Sequence, residues 1–477
     1  MAERPNILLI MSDQHNPHIL GCAGDEVVRT PNLDGLASGG VTFLNAYCAS
    51  PLCVPSRMTF LASRHCSDIG VWTNGCVLPS DVPTFVHALG AAGYETILCG
   101  RMHFVGPDQR HGFHRRIIGD VDPSLGHIPR ATTGQTKVAV EVAGPGRTAY
   151  MAYDDAVTET CCEFLRGWRG KRPFFLVVGY VLPHCPYICP KQLFREYYEE
   201  VQVPELPPGY LERLHPAVRE WRRRRGVDEL TDDQVRTAKA AYYGLVTYMD
   251  ERIGEVLGTL KEVGLAEDTV VVYTSDHGDM AGEHRMWWKS NFYEGSVKVP
   301  LIVSWPGKFP EGRRVEEVVS LLDLGPTLLD IVGAEPLPHS AGRSMMGLIY
   351  GSATDWPDLA LSEHGTMSDP PAFMVRRGPW KLNYYYGYDV PQLFNLEDDP
   401  EEVHDLGSDP SFAEVREELM EVVRANWSGE EVRRTLERKL AEREVLRRWR
   451  EGIPPGCPDP WQERWKAPPD CNVFPEE

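Results

Sequence analysis

Short apolar runs that end at polar or charged residues recur along the chain. They read "NILLIMSD" at residues 6–13, "PFFLVVGYVLPH" at 173–184 and "TVVVYTSDHGD" at 269–279. Apolar runs of this length without alternation are typical of strands that are buried on both faces. "PLIVSWPG" at 300–307 has the same character and predicts a fourth strand.

Segments with helical spacing separate these predicted strands. In "VPTFVHALGAAGY" at 82–94 and in the segment 241–264, apolar residues recur at helical intervals, and Gly264 stands where the second helix is expected to end. Alternating strands and helices predict an α/β fold with a large, mainly parallel sheet covered by helices. Ligands of such sheets bind beyond the carboxyl ends of the strands, which is where three of the runs place Asp or His.

The pattern of predicted secondary structure changes near residue 365. Short strands and a turn are predicted after it, followed by a helix over "SFAEVREELMEVVRANW" and a strongly charged helix over "EEVRRTLERKLAEREVLRRWREG". We expect a catalytic domain at 1–365, a smaller C-terminal α+β domain at 366–425, and a C-terminal extension at 426–477 made of a helix and an extended arm. "WRRRRG" at 221–226 predicts an exposed helix end.

Composition narrows the class of protein. A net charge of −20 over 477 residues argues against nonspecific binding to nucleic acid. We find neither an apolar segment long enough to span a membrane nor a secretory signal, and we therefore expect a cytoplasmic protein. The 12 cysteines are scattered, which predicts free thiols rather than a disulfide framework. Zinc held by Cys185 and Cys189 is a weaker alternative.

Side chains that could bind a metal lie at the ends of the predicted strands. Asp13, Gln14, Asp276 and His277 offer oxygen and imidazole donors that suit a divalent cation, although an Asp at a strand end can also cap a turn. A second candidate lies in "SPLCVPSRMTFLASR" at 50–64, where Cys53 stands close to a proline and an arginine.

The motif Cys53-Val54-Pro55-Ser56-Arg57 matches the C-x-P-S-R signature of the type I sulfatase family in the alkaline phosphatase-like superfamily. Further stretches follow in family order: "PNILLIMSDQ", "GYETILCGRMHFVG", "VLPHCPY", "TSDHGDMAGEHRMWWK", "LLDLGPTLLDIVG" and "LFNLEDDPEEVHDL". The chain resembles this family from residue 5 to about residue 410. The resemblance implies an alkaline phosphatase-like fold and sulfate ester hydrolysis.

The resemblance also implies that Cys53 is not used as a thiol. A formylglycine-generating enzyme would read Pro55 and Arg57 and oxidise Cys53 to formylglycine. The hydrated aldehyde carries two hydroxyls on one carbon, so one can attack sulfur and the other can later expel sulfate. The resemblance places Asp13, Gln14, Asp276, His277 and residue 53 around a divalent metal. Calcium is expected, with Mn²⁺ and Mg²⁺ as alternatives.

The resemblance also implies roles for the other residues that match the family's active-site positions. Arg57 would stabilise the hydrated aldehyde, and His103 would orient or deprotonate its second hydroxyl. Arg101 stands where the family usually has Lys, and a guanidinium cannot supply a proton there. His184 and Lys289 would bind the sulfate or protonate the leaving oxygen. His284 is undecided between a site residue and an ordinary loop residue.

Within the family, the closest resemblance is to choline sulfatases and phosphonate monoester hydrolases. A choline site needs aromatic rings, but residues 114–150 contain no Trp and only one Tyr, Tyr150. We therefore expect a sulfated sugar or another small organic sulfate as substrate. Choline sulfate hydrolysis and phosphonate or phosphate ester hydrolysis remain alternatives, as does a non-catalytic binding protein with unmodified Cys53. A homo-oligomer is expected. The 114–150 segment is instead basic, which suggests a polyanionic or sugar substrate, although its cations could also be solvated loop charges; they are Arg115, Arg116, Arg130, Lys137 and Arg147. His364 and Tyr384–Tyr386 of the second domain could line the same pocket.

Overall fold

The computed structural model describes residues 4–121, 128, 130–452 and 464–465. Sixteen strands and fifteen α-helices lie within these residues. The strands are β1 Asn6–Asp13, β2 Val41–Tyr47, β3 Glu95–Gly100, β4 Arg115–Ile118, β5 Asp120–Val121, β6 Gly144–Pro145, β7 Phe174–Pro183, β8 Ile188–Cys189, β9 Thr269–Ser275, β10 Lys298–Ser304, β11 Arg313–Ser320, β12 Leu359–His364, β13 Ala372–Arg377, β14 Trp380–Tyr385, β15 Gln392–Asn395 and β16 Arg464–Trp465.

The helices are α1 Pro31–Ser38, α2 Cys53–Ala62, α3 Cys66–Ile69, α4 Phe85–Ala91, α5 Val138–Glu141, α6 Ala149–Gly167, α7 Lys191–Tyr198, α8 Tyr210–Arg213, α9 Pro216–Arg225, α10 Asp232–Glu262, α11 Glu294–Val297, α12 Leu324–Ile331, α13 Met346–Tyr350, α14 Ala413–Asn426 and α15 Gly429–Glu451. Short 3₁₀ turns occupy Gly21–Ala23, Arg130–Thr132, Val227–Glu229, Ala266–Asp268, Glu283–Arg285, Leu321–Asp323 and Pro410–Phe412.

Eight strands form one large sheet in the order β11-β2-β10-β9-β1-β7-β3-β4. All neighbouring pairs are parallel except the two that involve β10, which runs antiparallel to both β9 and β2. Helix α10 packs on α6, α7 and β7, while α2, α4 and α12 pack on one another. The predicted mainly parallel, helix-covered α/β fold is confirmed.

The central strands β1, β7 and β9 have almost no exposed side chain, as their unbroken apolar runs require. Helix α10 begins earlier than its apolar periodicity indicates. Thr231 and Gln234 form a capping box that starts the helix at Asp232, and the helix ends just before Gly264, whose φ is +73°.

A smaller antiparallel sheet has the order β12-β13-β14-β15. It begins at Leu359, and its core contains Phe373, Leu419 and Val432, which lie on β13, α14 and α15. The division of the chain at residues 365 and 425 stays a prediction. Most of the predicted C-terminal arm lies outside the described residues, although the backbone of Arg464–Trp465 pairs with β5.

Other predictions can be compared with the described part of the chain. No helix there is both long and apolar enough to cross a bilayer. Its ten cysteines are free thiols, and no cluster of metal-binding side chains gathers around Cys185 and Cys189 within it. The helix end at "WRRRRG" is less exposed than expected, because Arg222 is buried and Arg225 is nearly so.

A buried ion network ties the two sheets together. Lys381 on β14 lies 2.8 Å from Glu294 and 2.7 Å from Glu402, measured from Nζ to the carboxylate oxygens. Burial raises the pKa of Glu402 to about 7. Burial also acts to raise the pKa of Glu294, but Lys381 and Lys298 outweigh it and hold that pKa at about 2. The lysine therefore compensates two carboxylates that have lost their water.

We predict that Lys381→Met lowers the free energy of unfolding by about 3–5 kcal/mol, because it leaves the buried Glu402 without a cation and Glu294 with Lys298 alone. Chemical unfolding followed by fluorescence measures the change. The same substitution at the exposed Lys308 is the control and is expected to change stability by less than about 0.5 kcal/mol. Equal stability of the two variants would contradict the role of the network.

Candidate active site

The three central strands carry polar residues to one edge of the large sheet. Asp13 is the last residue of β1, Asp276 and His277 follow β9, and His184 follows β7. The strands are adjacent in the order β9-β1-β7, with Ser12 opposite Ser275 and Asp13 opposite Pro183. Parallel pairing therefore brings together residues that are far apart in sequence, at the edge where ligands of such sheets bind.

Cys53 opens helix α2, which is buried along its whole length. Its Sγ lies 3.2 Å from His277 Nε2 and 3.7 Å from Asp13 Oδ1. Burial acts to raise the pKa of the Cys53 thiol, but Lys289 and His277 outweigh it and hold that pKa well below its usual value. The position at a helix N-terminus adds to the preference for negative charge.

Arg57 lies one helical turn after Cys53 and is completely buried. Its Nε donates to Asp276 Oδ2 at 2.9 Å, and one terminal nitrogen donates to Asp13 Oδ2 at 3.2 Å. The other terminal nitrogen donates to the carbonyl of Arg101 at 3.2 Å. Arg57 therefore bridges the two carboxylates through a rigid, bidentate group.

Arg101 supplies Asp13 with a second cation, since its Nε donates to Oδ2 at 2.6 Å. Burial and Cys53 act to raise the pKa of Asp13, but Arg101, His184 and Arg57 hold it well below its ordinary value. A terminal nitrogen of Arg101 also donates to His103 Nδ1 at 3.0 Å. Because a guanidinium is only a donor, Nδ1 is the acceptor and neutral His103 carries its proton on Nε2.

The imidazole of His277 has a defined orientation as well. Its Nδ1 is 2.9 Å from the carbonyl oxygen of Gly278, to which it donates, so Nε2 is the ring nitrogen that faces Asp13, Asp276 and Cys53. One ligand atom from each of these four side chains lies within 4.8 Å of all the others. Two carboxylates and a neutral imidazole nitrogen, all buried, form a donor set that fits a divalent cation.

Gln14 follows Asp13 and has a φ of +72°. Its backbone N–H and both polar atoms of its side chain form hydrogen bonds. Its backbone N–H donates to Asp276, its Nε2 donates to Asp279 Oδ2 at 2.5 Å, and its Oε1 accepts a hydrogen bond from Lys289. Gln14 therefore joins Lys289 to the carboxylate side of the site, and its role as a metal ligand stays a prediction.

His184 and Lys289 form the cationic side of the site. His184 Nδ1 donates to the carbonyl of Cys185 at 2.7 Å, which leaves Nε2 for a ligand. Burial and Lys289 act to lower the pKa of His184, but Cys185 and Cys53 outweigh them and raise it to about 10. Among the described residues, neither His184 nor Lys289 has a carboxylate within 4 Å. Two buried cations without a carboxylate partner suit an anionic ligand.

Sequence reasoning missed the residues that position this site. Asp279 accepts hydrogen bonds from Gln14, from Tyr187 and from the backbone N–H groups of Ala281 and Trp288. Asp120 likewise accepts hydrogen bonds from the side chain of Arg101 and from the backbone N–H of His103. Asp154 accepts from two backbone N–H groups of β7 just before His184. Of these three residues, only Asp279 could have been recognised from the sequence, because it belongs to the "SDHGD" run.

Several predicted candidates lie elsewhere. His284 is packed against the ring of Tyr293 and hydrogen bonded to Tyr210, so it is part of an aromatic cluster. Most basic residues of the 114–150 segment have partners within the chain: Arg115 with Glu95, Lys137 with Glu229 and Arg147 with Asp155. The side chain of Arg130 lies outside the described residues. These pairs weaken the argument that the segment attracts a polyanion.

Comparison with known proteins agrees with this geometry. Residues 5–334 match the family described as Sulfatase, and residues 282–427 match N-sulphoglucosamine sulphohydrolase, C-terminal. The chain belongs to the sulfatase family. This sulfatase is therefore a sulfuric ester hydrolase, and the family implies a divalent metal and a formylglycine.

Individual relatives span most of this sulfatase. A choline-sulfatase of Rhizobium meliloti is 35% identical over 85% of this chain and 83% of its own length. An arylsulfatase K of Danio rerio is 30% identical over 89% of this chain and 84% of its own length. Among solved structures, a phosphonate monoester hydrolase from Silicibacter pomeroyi has a TM-score of 0.76 and 25% identity, covering 88% of this chain and 95% of that one. The alkaline phosphatase-like fold is thus confirmed.

We predict that Asp279→Asn lowers both metal affinity and kcat/KM by about 10- to 100-fold. An amide would turn a donor toward groups that themselves donate, which would release Gln14 and Lys289. Metal content after dialysis and steady-state kinetics measure the two effects. Asp232→Asn, at an exposed ion pair with Arg285, is the matched control and is expected to leave both unchanged. A normal metal content in the Asp279 variant would disprove the positioning role.

Proposed function

We propose that this sulfatase hydrolyses the sulfate monoester of a sugar or another small organic alcohol, with formylglycine at position 53 as the nucleophile. The position of Cys53 carries the proposal. It stands at the start of a buried helix, 3.2 Å from His277 and next to Asp13, inside an intact C-x-P-S-R motif. A formylglycine-generating enzyme is the partner that this maturation requires. The hydrated aldehyde would supply two hydroxyls on one carbon, one for attack and one for release of sulfate.

Asp13, Gln14, Asp276 and His277 would hold the divalent metal together with residue 53. When bound, the metal would lower the pKa of the attacking hydroxyl and screen the charge of the sulfate oxygens. Calcium is our proposal because most of the donors are oxygen atoms, and Mn²⁺ and Mg²⁺ are the alternatives that an imidazole ligand allows. Arg57 would keep Asp13 and Asp276 ionised and aligned at this position.

His184 and Lys289 would bind the sulfate oxygens. Both are buried and lack a carboxylate within 4 Å in the described part of the chain. Nδ1 of His184 donates to the carbonyl of Cys185, so Nε2 is the ring nitrogen that can face a ligand beside residue 53. His184 is therefore our proposed proton donor to the leaving oxygen.

His103 would orient the second hydroxyl rather than deprotonate it. The hydrogen bond from Arg101 occupies its Nδ1, so the neutral ring offers an N–H at Nε2 and no free lone pair. Arg101, at a position where Lys is usual in the family, would act here as the group that sets this tautomer. It would also neutralise Asp13.

Choline sulfate is a less favourable substrate, because a ring that could bind its quaternary ammonium already binds a cation. Trp221 lines a cavity together with Ser290, the residue that follows Lys289. The guanidinium of Arg225 lies 4.1 Å from the centre of that ring and already occupies its face. A quaternary ammonium would compete with this cation and be repelled by it.

A phosphonate or phosphate ester hydrolase is the second candidate. The likeness to the solved phosphonate monoester hydrolase supports it, since that protein shares 25% of its aligned residues with this chain. The same buried cations would serve a phosphoryl group. A cytoplasmic location and a homo-oligomeric assembly are further proposals that rest on the sequence alone.

The nucleophile is tested by mass spectrometry of the peptide that contains residue 53, from protein produced together with a formylglycine-generating enzyme. We expect the loss of one sulfur and two hydrogens and the gain of one oxygen. Cys53→Ser is expected to keep the fold and to lose at least about a thousandfold in kcat. Cys22→Ser, at a partly exposed thiol outside the site, is the control. Near-normal turnover by the Cys53 variant would exclude this mechanism.

The bond specificity is tested with matched leaving groups, 4-nitrophenyl sulfate and 4-nitrophenyl phenylphosphonate. We expect kcat/KM of the mature enzyme to be higher for the sulfate, because it offers three terminal oxygens to His184, Lys289 and the metal. The phosphonate carries the same single charge but offers only two, with a phenyl group in place of the third. Steady-state release of 4-nitrophenol measures both reactions. A clear preference for the phosphonate would replace our first candidate with the second.

A further inference from the structure

A cavity lies between α9, the loop that follows Lys289, and the small sheet. Trp221 of α9, Ser290, Asn291 and Phe292 of the loop, and His364 and Tyr385 of the small sheet line it. Its volume of about 20 Å³ admits one small polar group and is too small for a whole sugar ring. The carboxylate of Asp369 also lines it, and the rest of its wall is largely apolar.

Three of these side chains bring polar atoms that have no hydrogen-bond partner among the described residues. They are Trp221 Nε1, Asn291 Nδ2 and both ring nitrogens of His364. All three residues are more than nine-tenths buried. His364 Nε2 pairs with Asp369 at 3.6 Å, which is longer than a normal hydrogen bond. Burial acts to raise the pKa of Asp369, but this pair helps to hold that pKa well below its ordinary value. Unsatisfied buried polar groups are costly, so several of them around one cavity point to a ligand.

The cavity adjoins the loop that leads to the nucleophile. Ser290 follows Lys289, and its N–H donates to the carbonyl of Pro51 at 3.0 Å. On the other side, the N–H of Glu363, the neighbour of His364, donates to the carbonyl of Ala49 at 2.8 Å. Both walls therefore attach to residues 49–51, directly before Cys53.

The arginine pair at the end of α9 holds these walls in place. Arg225 binds Asp369 through both terminal nitrogens, at 3.1 and 2.9 Å, and its Nε donates to Gln135 at 2.9 Å. Gln135 in turn donates to Ser290 at 2.9 Å. Arg224 adds a second ion pair to Asp369 at 3.2 Å. Two arginines of the basic cluster thus anchor Asp369, which lines the cavity.

We propose that this cavity is a specificity subsite for one oxygen-bearing substituent, a hydroxyl or a carboxylate, on the organic part of the sulfate ester. The inference rests on the proposed function, because it needs an ester held by Lys289. Trp221 and Asn291 offer N–H donors, and His364 offers a donor and an acceptor. This set matches oxygen atoms and rejects an alkyl group, which would leave all three unpaired.

The test uses the mature enzyme, a series of methyl glucoside sulfates with their uronic acid counterparts, and phenyl sulfate, which has no hydroxyl or carboxylate. Sulfate release gives kcat and KM for each substrate. Trp221→Phe removes one indole N–H, and His364→Leu removes the imidazole. Trp427→Phe is the matched control, because its indole Nε1 also lacks a partner within the described residues but lies outside the cavity. Thermal unfolding checks that every variant is folded.

For the best sugar sulfate we expect each of the two cavity variants to raise KM about three- to tenfold, with kcat little changed. Values for phenyl sulfate should stay within about twofold, and Trp427→Phe should change neither substrate. The proposal is overturned if both cavity variants leave the sugar sulfate unchanged, which would mean that the cavity holds a structural water only. It is also overturned if they weaken phenyl sulfate equally, or if the wild type prefers phenyl sulfate throughout.

Failure of the proposed function gives a different result. In that case the wild-type enzyme with formylglycine at position 53 would hydrolyse neither phenyl sulfate nor any sugar sulfate. Turnover of phenyl sulfate by the wild type therefore separates a wrong subsite from a wrong reaction.

Discussion

The bridge that Arg57 makes between Asp13 and Asp276 is the interaction on which the site depends. Two carboxylates at adjacent strand ends, both fully buried, would repel each other and lose their hydration. The guanidinium offsets both penalties and fixes the distance between the acids with parallel hydrogen bonds. Since Arg57 lies one turn after Cys53 on the same helix, the same bridge also sets where the nucleophile meets the carboxylates.

The remaining charges are arranged around this bridge by chemical type. Donors for a cation lie on one side, where Asp13, Asp276 and His277 converge. Lys289 and His184, without carboxylate partners in the described part of the chain, lie on the side where an anion would bind. A protein of net charge −20 can therefore still hold a sulfate group, because the local field at the strand edge is set by buried groups rather than by the surface.

A second set of groups, behind the side chains that line the site, fixes the orientation of those side chains. Asp279 aligns Gln14, Asp120 aligns Arg101 and His103, and a backbone carbonyl sets the tautomer of His277. The arginines at the end of α9 do the same for the wall beside Lys289. The Arg225–Asp369 ion pair and the Lys381 network connect the large domain to the small sheet and to the segment between its strands.

The sequence by itself determined the elements and the candidate chemistry of this protein. Apolar runs that end at Asp13, His184 and Asp276 are local patterns, and the C-x-P-S-R motif is read within five residues. Local patterns also identified α4, α10, α14 and α15, although the charged first turns hid the start of α10. They could not reveal that β10 runs antiparallel, because an apolar run has the same appearance in either direction.

Only the tertiary structure decided which charges meet. Arg225 looked like part of an exposed basic helix end, and its partners, buried Asp369 and half-buried Gln135, lie 144 and 90 residues away. Asp279 and Asp120 became positioning residues through contacts with side chains on other strands. Electrostatic and hydrogen-bonding roles depend on distances of a few ångströms in space, which the folded backbone sets and the order of residues along the chain does not contain.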